Sequence, residues 1–79
     1  MIALNLDSIE KVEQFVSICD RYKQEFNIDA IYGRYIVDAS SLLGVSSLLG
    51  HIIGVQVSDD SKPSYESFEK EVKQMSGCY

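Results

Sequence analysis

The chain is predicted to be a single α+β domain, an open-faced two-layer sandwich with an antiparallel sheet covered on one face by helices. Three observations predict this. Apolar residues recur at spacings of three and four in two segments, Ile9 to Tyr22 and Tyr65 to Met75. Between and before them lie short alternating or β-branched runs. The length of 79 residues allows only one domain, covering 1–79.

Met1 to Leu6, "MIALNL", alternates at Ile2, Leu4 and Leu6 and reads as an edge or half-buried strand. Asp7 and Glu10 have the spacing of a capping box, and Ser8 is the alternative cap. The helix that follows would bury Ile9, Val12, Val16, Cys19 and Tyr22, with Phe15 beside them, and end near Gln24. "FNIDAIYGRYIV" reads as two strands joined by a tight turn at Gly33-Arg34. Residues 41–49 form a short helix behind a serine cap, with Ser41 and Ser40 both candidates, and "HIIGVQV" (51–57) forms the last strand. After the turn "SDDS", Pro63 stands in the first turn of a closing helix. That helix buries Tyr65, Phe68, Val72 and Met75 and sets Glu66 with Lys70, and Glu69 with Lys73, on its wet face. The order is βαββαβα.

Composition narrows the function classes. A 46% hydrophobic, 24% charged chain is ordinary for a globular protein. The net charge of −5 and the scattered basic residues argue against nucleic acid or an anionic membrane surface as partner, and leave a protein partner. No apolar run approaches the roughly 20 residues of a membrane span. "MIALNLDSIEK" has no basic leader before an apolar core, so no signal peptide is expected, and a cytoplasmic location follows. Cys19 and Cys78 are too few for a metal framework or a disulfide scaffold. Cys19 reads as a small buried hydrophobe and Cys78 as an exposed residue near the C-terminus. The lone His51 reads as a surface or strand-edge residue, and no metal or cofactor is expected.

One stretch, "DASSLLGVSSLLGH" (38–51), nearly repeats itself. It is not a phosphate loop: Gly44 and Gly50 are one residue too far apart, and His51 follows where the lysine belongs. Gly44 and Gly50 are expected to serve helix packing and termination. Leu42, Leu43, Val45, Leu48 and Leu49 are too many apolar residues for one buried face of two turns, so some must be exposed.

"SSLLGVSSL" resembles the Ser-apolar-apolar-Gly-apolar-x-Ser-Leu segment of HPr, the small phosphocarrier of the bacterial sugar phosphotransferase system. The similarity runs over nearly the whole chain and includes length, element order, the Gly33-Arg34 turn where the family usually has Gly-Lys, and the closing helix. It implies the HPr-like βαββαβα fold. It also implies that Ser41 stands at the serine phosphorylated, in Gram-positive members, by an ATP-dependent kinase. Asp38 nearby would work against that phosphate.

The carrier motif itself is missing. The family has Gly-apolar-His-Ala-Arg-Pro at the start of its first helix, and this chain has "LDSIEKVEQF". Ser8 takes the place of the phosphoacceptor histidine, Glu10 that of the arginine and Lys11 that of the proline. Phosphohistidine transfer needs an imidazole nucleophile and a cation near the phosphoryl group. A serine beside a carboxylate supplies neither, so the resemblance implies a protein without catalytic residues or carrier activity.

In the family, the short helix and the first helix form the surface that docks enzymes and regulators. The expected partner-binding residues are therefore Leu42, Leu43 and Leu48. Phosphotransferase-system enzymes, an HPr kinase or a transcriptional regulator are the expected partners of a monomer or weak homodimer. Two alternatives stand beside this reading: a divergent phosphocarrier using Ser8, Ser41 or His51, and an oligomerisation module that self-associates through its open sheet face or leucine patch.

Overall fold

The computed structural model describes residues 2–75, in the order β1 (Ile2–Asn5), α1 (Ile9–Tyr22), β2 (Ile28–Tyr32), β3 (Tyr35–Asp38), α2 (Leu42–Ser46), β4 (Ile52–Val57) and α3 (Pro63–Lys73). Cys78, expected to be exposed, lies outside the described residues. The four strands form one antiparallel sheet in the order β1-β4-β2-β3. This is the predicted open-faced βαββαβα sandwich.

The period of two sorts each strand into faces. Register aligns Ile2 with Val55 and Leu4 with Ile53, and aligns Ala30 with both Val55 and Val37. These positions face the helices and join Val12, Phe15, Cys19, Phe68 and Val72 in one core. The alternate positions form the outer face, where the register sets Ala3, Gly54, Ile31 and Ile36 in one row. A two-residue turn at Gly33-Arg34 closes the β2–β3 hairpin on the Tyr32–Tyr35 pair, with Gly33 at φ 59°.

Ser8 caps α1: its extended backbone lets Oγ accept from the Lys11 N–H at 3.3 Å. Asp7, the first-named cap, instead pairs with Lys11 Nζ at 2.8 Å. The buried face of α1 also departs from the expected stripe. Val12, Phe15, Ile18 and Cys19 are buried, Val16 and Tyr22 are partly buried, and Ile9 is exposed. At 3.6 residues per turn, Ile9 lies about 120° around the helix from Phe15, beyond the face that meets the sheet. In α3, Phe68, Val72 and Met75 are buried and Tyr65 packs beside them, as expected. Of the two expected ion pairs on its wet face, Glu69–Lys73 forms at 3.7 Å and Glu66–Lys70 is not within pairing distance.

A polar tie that the periodicity does not show joins α1 to α3. Tyr22 Oη donates to Glu71 Oε2 at 2.5 Å, and Arg21 donates to Glu71 Oε1 at 2.7 Å. These two donors hold the Glu71 carboxyl below the usual carboxylate range, and the bond to Glu71 pushes the Tyr22 phenol up. A carboxylate with a lowered folded value contributes stability above its ordinary value of 4.5, lost as pH falls through the folded one. A phenol with a raised folded value contributes stability below its ordinary value of 10.0, lost as pH rises through the folded one. Glu71→Gln is therefore expected to cost on the order of 1 kcal/mol near neutrality, the pair being partly exposed. Urea denaturation should show that difference shrinking below pH 4; an unchanged difference at low pH would contradict the ionic origin.

Candidate partner-binding surface

Ser41 begins this surface. Its backbone is extended, and Oγ accepts the Gly44 N–H at 3.2 Å, capping α2 as expected. Ser40 is not the cap. Its N–H and Oγ both donate to Asp38 Oδ1, at 2.9 and 2.7 Å, and these bonds hold the Asp38 carboxyl below its ordinary range. Gly44 lets α2 sit close on β3: a Cβ there would stand 3.3 Å from the Val37 Cβ, a tight contact that Val37 would have to relieve by a small shift.

The α-helix stops at Ser46, short of the expected end at Leu49. The chain continues in turns with Leu48 N–H donating to Val45 O at 2.9 Å and Leu49 N–H to Ser46 O at 3.1 Å. This tightening decides which leucines are free. In a tighter turn, residues three apart eclipse each other. Leu48 therefore lies over buried Val45, and Leu49 is carried outward with Ser46.

Leu48 is 3% exposed and belongs to the core, so its assignment to the partner surface is corrected. The leucines that face solvent are Leu42, Leu43 and Leu49, at 50, 87 and 43% exposure. Leu49, rather than Leu48, completes the exposed set, because the tighter turn after Ser46 turns Leu48 inward and Leu49 outward.

Two backbone bonds tie the end of this segment to Leu6, in the link between β1 and α1: Gly50 N–H donates to Leu6 O at 2.7 Å, and Leu6 N–H donates to His51 O at 3.0 Å. Exposed Ile9 opens α1 at the same end. The capping serines of α1 and α2, Ser8 and Ser41, thus belong to neighbouring helices. Glu10 lies in the first turn of α1 and is exposed, and α2 has no charged residue in its first or last turn. Exposed leucines thus share this segment with exposed Ser47, Gly50 and His51, and the charged side chain beside it is Glu10.

The remaining candidates have structural settings. His51 is exposed and stacks on Tyr32, ring centroids 4.2 Å apart and planes 26° from parallel. Cys19 is buried at the edge of a cleft that includes Lys23, Asn27 and Asp38. Burial, with Asp38 adding to it, pushes its thiol well up, away from the thiolate a nucleophile needs. Among the described residues there is no cluster of three potential metal ligands, and no helix is long and apolar enough to cross a membrane.

Comparison of the chain with protein-family models, with curated proteins and with solved structures finds no match.

Proposed function

We propose that the protein is an HPr-like, cytoplasmic, non-enzymatic module that works by binding another protein through α2 and the start of α1. The observation that carries this reading is the exposure of Leu42, Leu43 and Leu49 on one short segment. Large apolar side chains concentrated on a surface mark a contact with another protein. The segment "SSLLGVSSL" and the absence of a histidine from the start of α1 add to it. Ser8 is engaged as a helix cap and Glu10 would repel a phosphoryl group, so carrier chemistry has no support there. The partners that fit are a phosphotransferase-system enzyme, an HPr kinase or a transcriptional regulator.

Ser41 is the proposed regulatory position. A phosphate there would stand at the amide end of α2, beside exposed Leu42 and Leu43, and would place charge on the apolar contact. The test is intact-mass spectrometry after incubation with ATP and an HPr kinase, beside a second sample given phosphoenolpyruvate and enzyme I. One acid-stable phosphate is expected in the first sample alone, and none in Ser41→Ala. No phosphate in either sample would remove the regulatory role of Ser41. A phosphate arriving from phosphoenolpyruvate would overturn the non-carrier reading.

A further inference from the structure

The β3 edge of the sheet has features that the leucine surface does not use. Natural sheets protect a free edge with lysine, proline, a bulge or a covering segment. β3 reads Tyr35-Ile36-Val37-Asp38, with neither proline nor lysine, and its register against β2 is regular. Tyr35 and Ile36 are 68 and 65% exposed. Ile36 ends the row Ala3–Gly54–Ile31–Ile36 that crosses the open face. The opposite edge, β1, differs: its Ile2 and Leu4 are buried in the core.

Backbone polarity fits the same edge. Ala39 N–H donates to Ile28 O of β2, so by the alternation of an antiparallel ladder residues 35 and 37 also direct their backbone groups toward β2. Ile36 directs its N–H and C=O away from the sheet. Asp38 directs its N–H outward as well, while its carbonyl accepts from Ser41 N–H at 3.0 Å.

We infer that β3 pairs antiparallel with β3 of a second copy of this chain, centred on Ile36 opposite Ile36, giving a continuous eight-stranded sheet. Charge selects this occupant and this register. Counting out from the Ile36 pair, Asp38 of each copy, whose Oδ1 is held by Ser40, stands opposite Arg34 of the other, the turn residue just before β3. The dyad makes this pair twice, and opposite charges across antiparallel strands attract. Val37 of each copy meets Tyr35 of the other on the helix-covered face. The apolar row then continues across the dyad from Ile31–Ile36 of one copy to Ile36–Ile31 of the other. Each copy has a net charge of −5, so the two Arg34–Asp38 pairs also offset repulsion where the copies meet.

The test is sedimentation equilibrium of three samples: Arg34→Asp alone, Asp38→Arg alone, and the two mixed in equal amounts. The unmodified chain should self-associate reversibly. Each single variant turns two attractive pairs into two repulsive ones, so its dimer should dissociate roughly tenfold more readily. The mixture should associate again. One variant then has an acid at both positions and the other a base at both, so each cross-strand pair of a mixed dimer joins opposite charges. Asp38 also bonds to Ser40, so circular dichroism checks the fold of each variant, and Ile36→Lys gives a second way to block the edge. A chain that stays monomeric at millimolar concentration would overturn the inference. So would a dimer indifferent to Arg34→Asp and Ile36→Lys, or singles that weaken association without recovering on mixing. Loss of association only on replacing Leu42 or Leu43 would move self-association to the leucine surface and equally overturn the β3 edge.

Discussion

Phe68→Ala is expected to remove about 3–5 kcal/mol of folding stability. Phe68 is fully buried in α3, and its ring meets those of Tyr22 and Phe26 edge-on, at 5.5 Å each, with Tyr65 at 6.2 Å. It is therefore the common neighbour of three aromatic side chains from the end of α1, the loop after it, and α3 itself. Edge-to-face pairs add to area burial, so truncation loses both and leaves a cavity that rigid rings fill poorly. A domain of this length has roughly 4–12 kcal/mol in total, at about 0.05–0.15 per residue. The variant should then be close to unfolding, with a urea midpoint shifted far toward zero. Phe68→Leu should cost less, since leucine keeps most of the volume. A loss below about 1.5 kcal/mol for Phe68→Ala would mean that the cluster collapses around the gap.

Leu48→Asp and Leu43→Asp, five residues apart in one segment, are expected to differ more than any other matched pair. Leu48 is packed over Val45 in the core. Aspartate there buries a carboxylate without a partner, and the variant should lose several kcal/mol. At about 4–8 °C per kcal/mol for a domain of this size, Tm should fall by at least 15 °C or so. Leu43 is 87% exposed and follows the cap by two residues, where an acidic side chain suits the positive end of a helix. Its replacement should leave Tm nearly unchanged, as for most surface substitutions, while abolishing capture of the proposed partner. Thermal melts followed by circular dichroism separate the two. Equal melts would contradict the assignment of Leu48 to the core and Leu43 to solvent.

The contrast between these leucines shows where sequence reading stops. Periodicity placed the strands and helices because each is a local pattern: alternation at Ile2 and Leu4, three-four spacing at Phe68, Val72 and Met75. Cap chemistry is local too, and it narrowed the caps to Asp7 or Ser8 and to Ser40 or Ser41; the folded chain chose Ser8 and Ser41. Burial within residues 42–49 depends instead on a change from α-helical to tighter hydrogen bonding after Ser46, and "SSLL" written twice has no local signal for that change. Ile9 fits the apolar stripe by spacing, yet it lies outside because the sheet meets α1 on the face of Phe15 and Cys19.

Element order, strand alternation and the absence of a carrier histidine from the start of the first helix are properties of the chain as written. The pairing order β1-β4-β2-β3, which brings Ile36 to a free edge in line with Ala3, Gly54 and Ile31, was decided only in the folded molecule. So were the tie of Tyr22 and Arg21 to Glu71 across about fifty residues and the stacking of Tyr32 on His51. The physical reason is common to all of them. Propensity, capping and alternation act between residues a few positions apart, whereas register, exposure and ion pairing depend on which distant surfaces the core draws together.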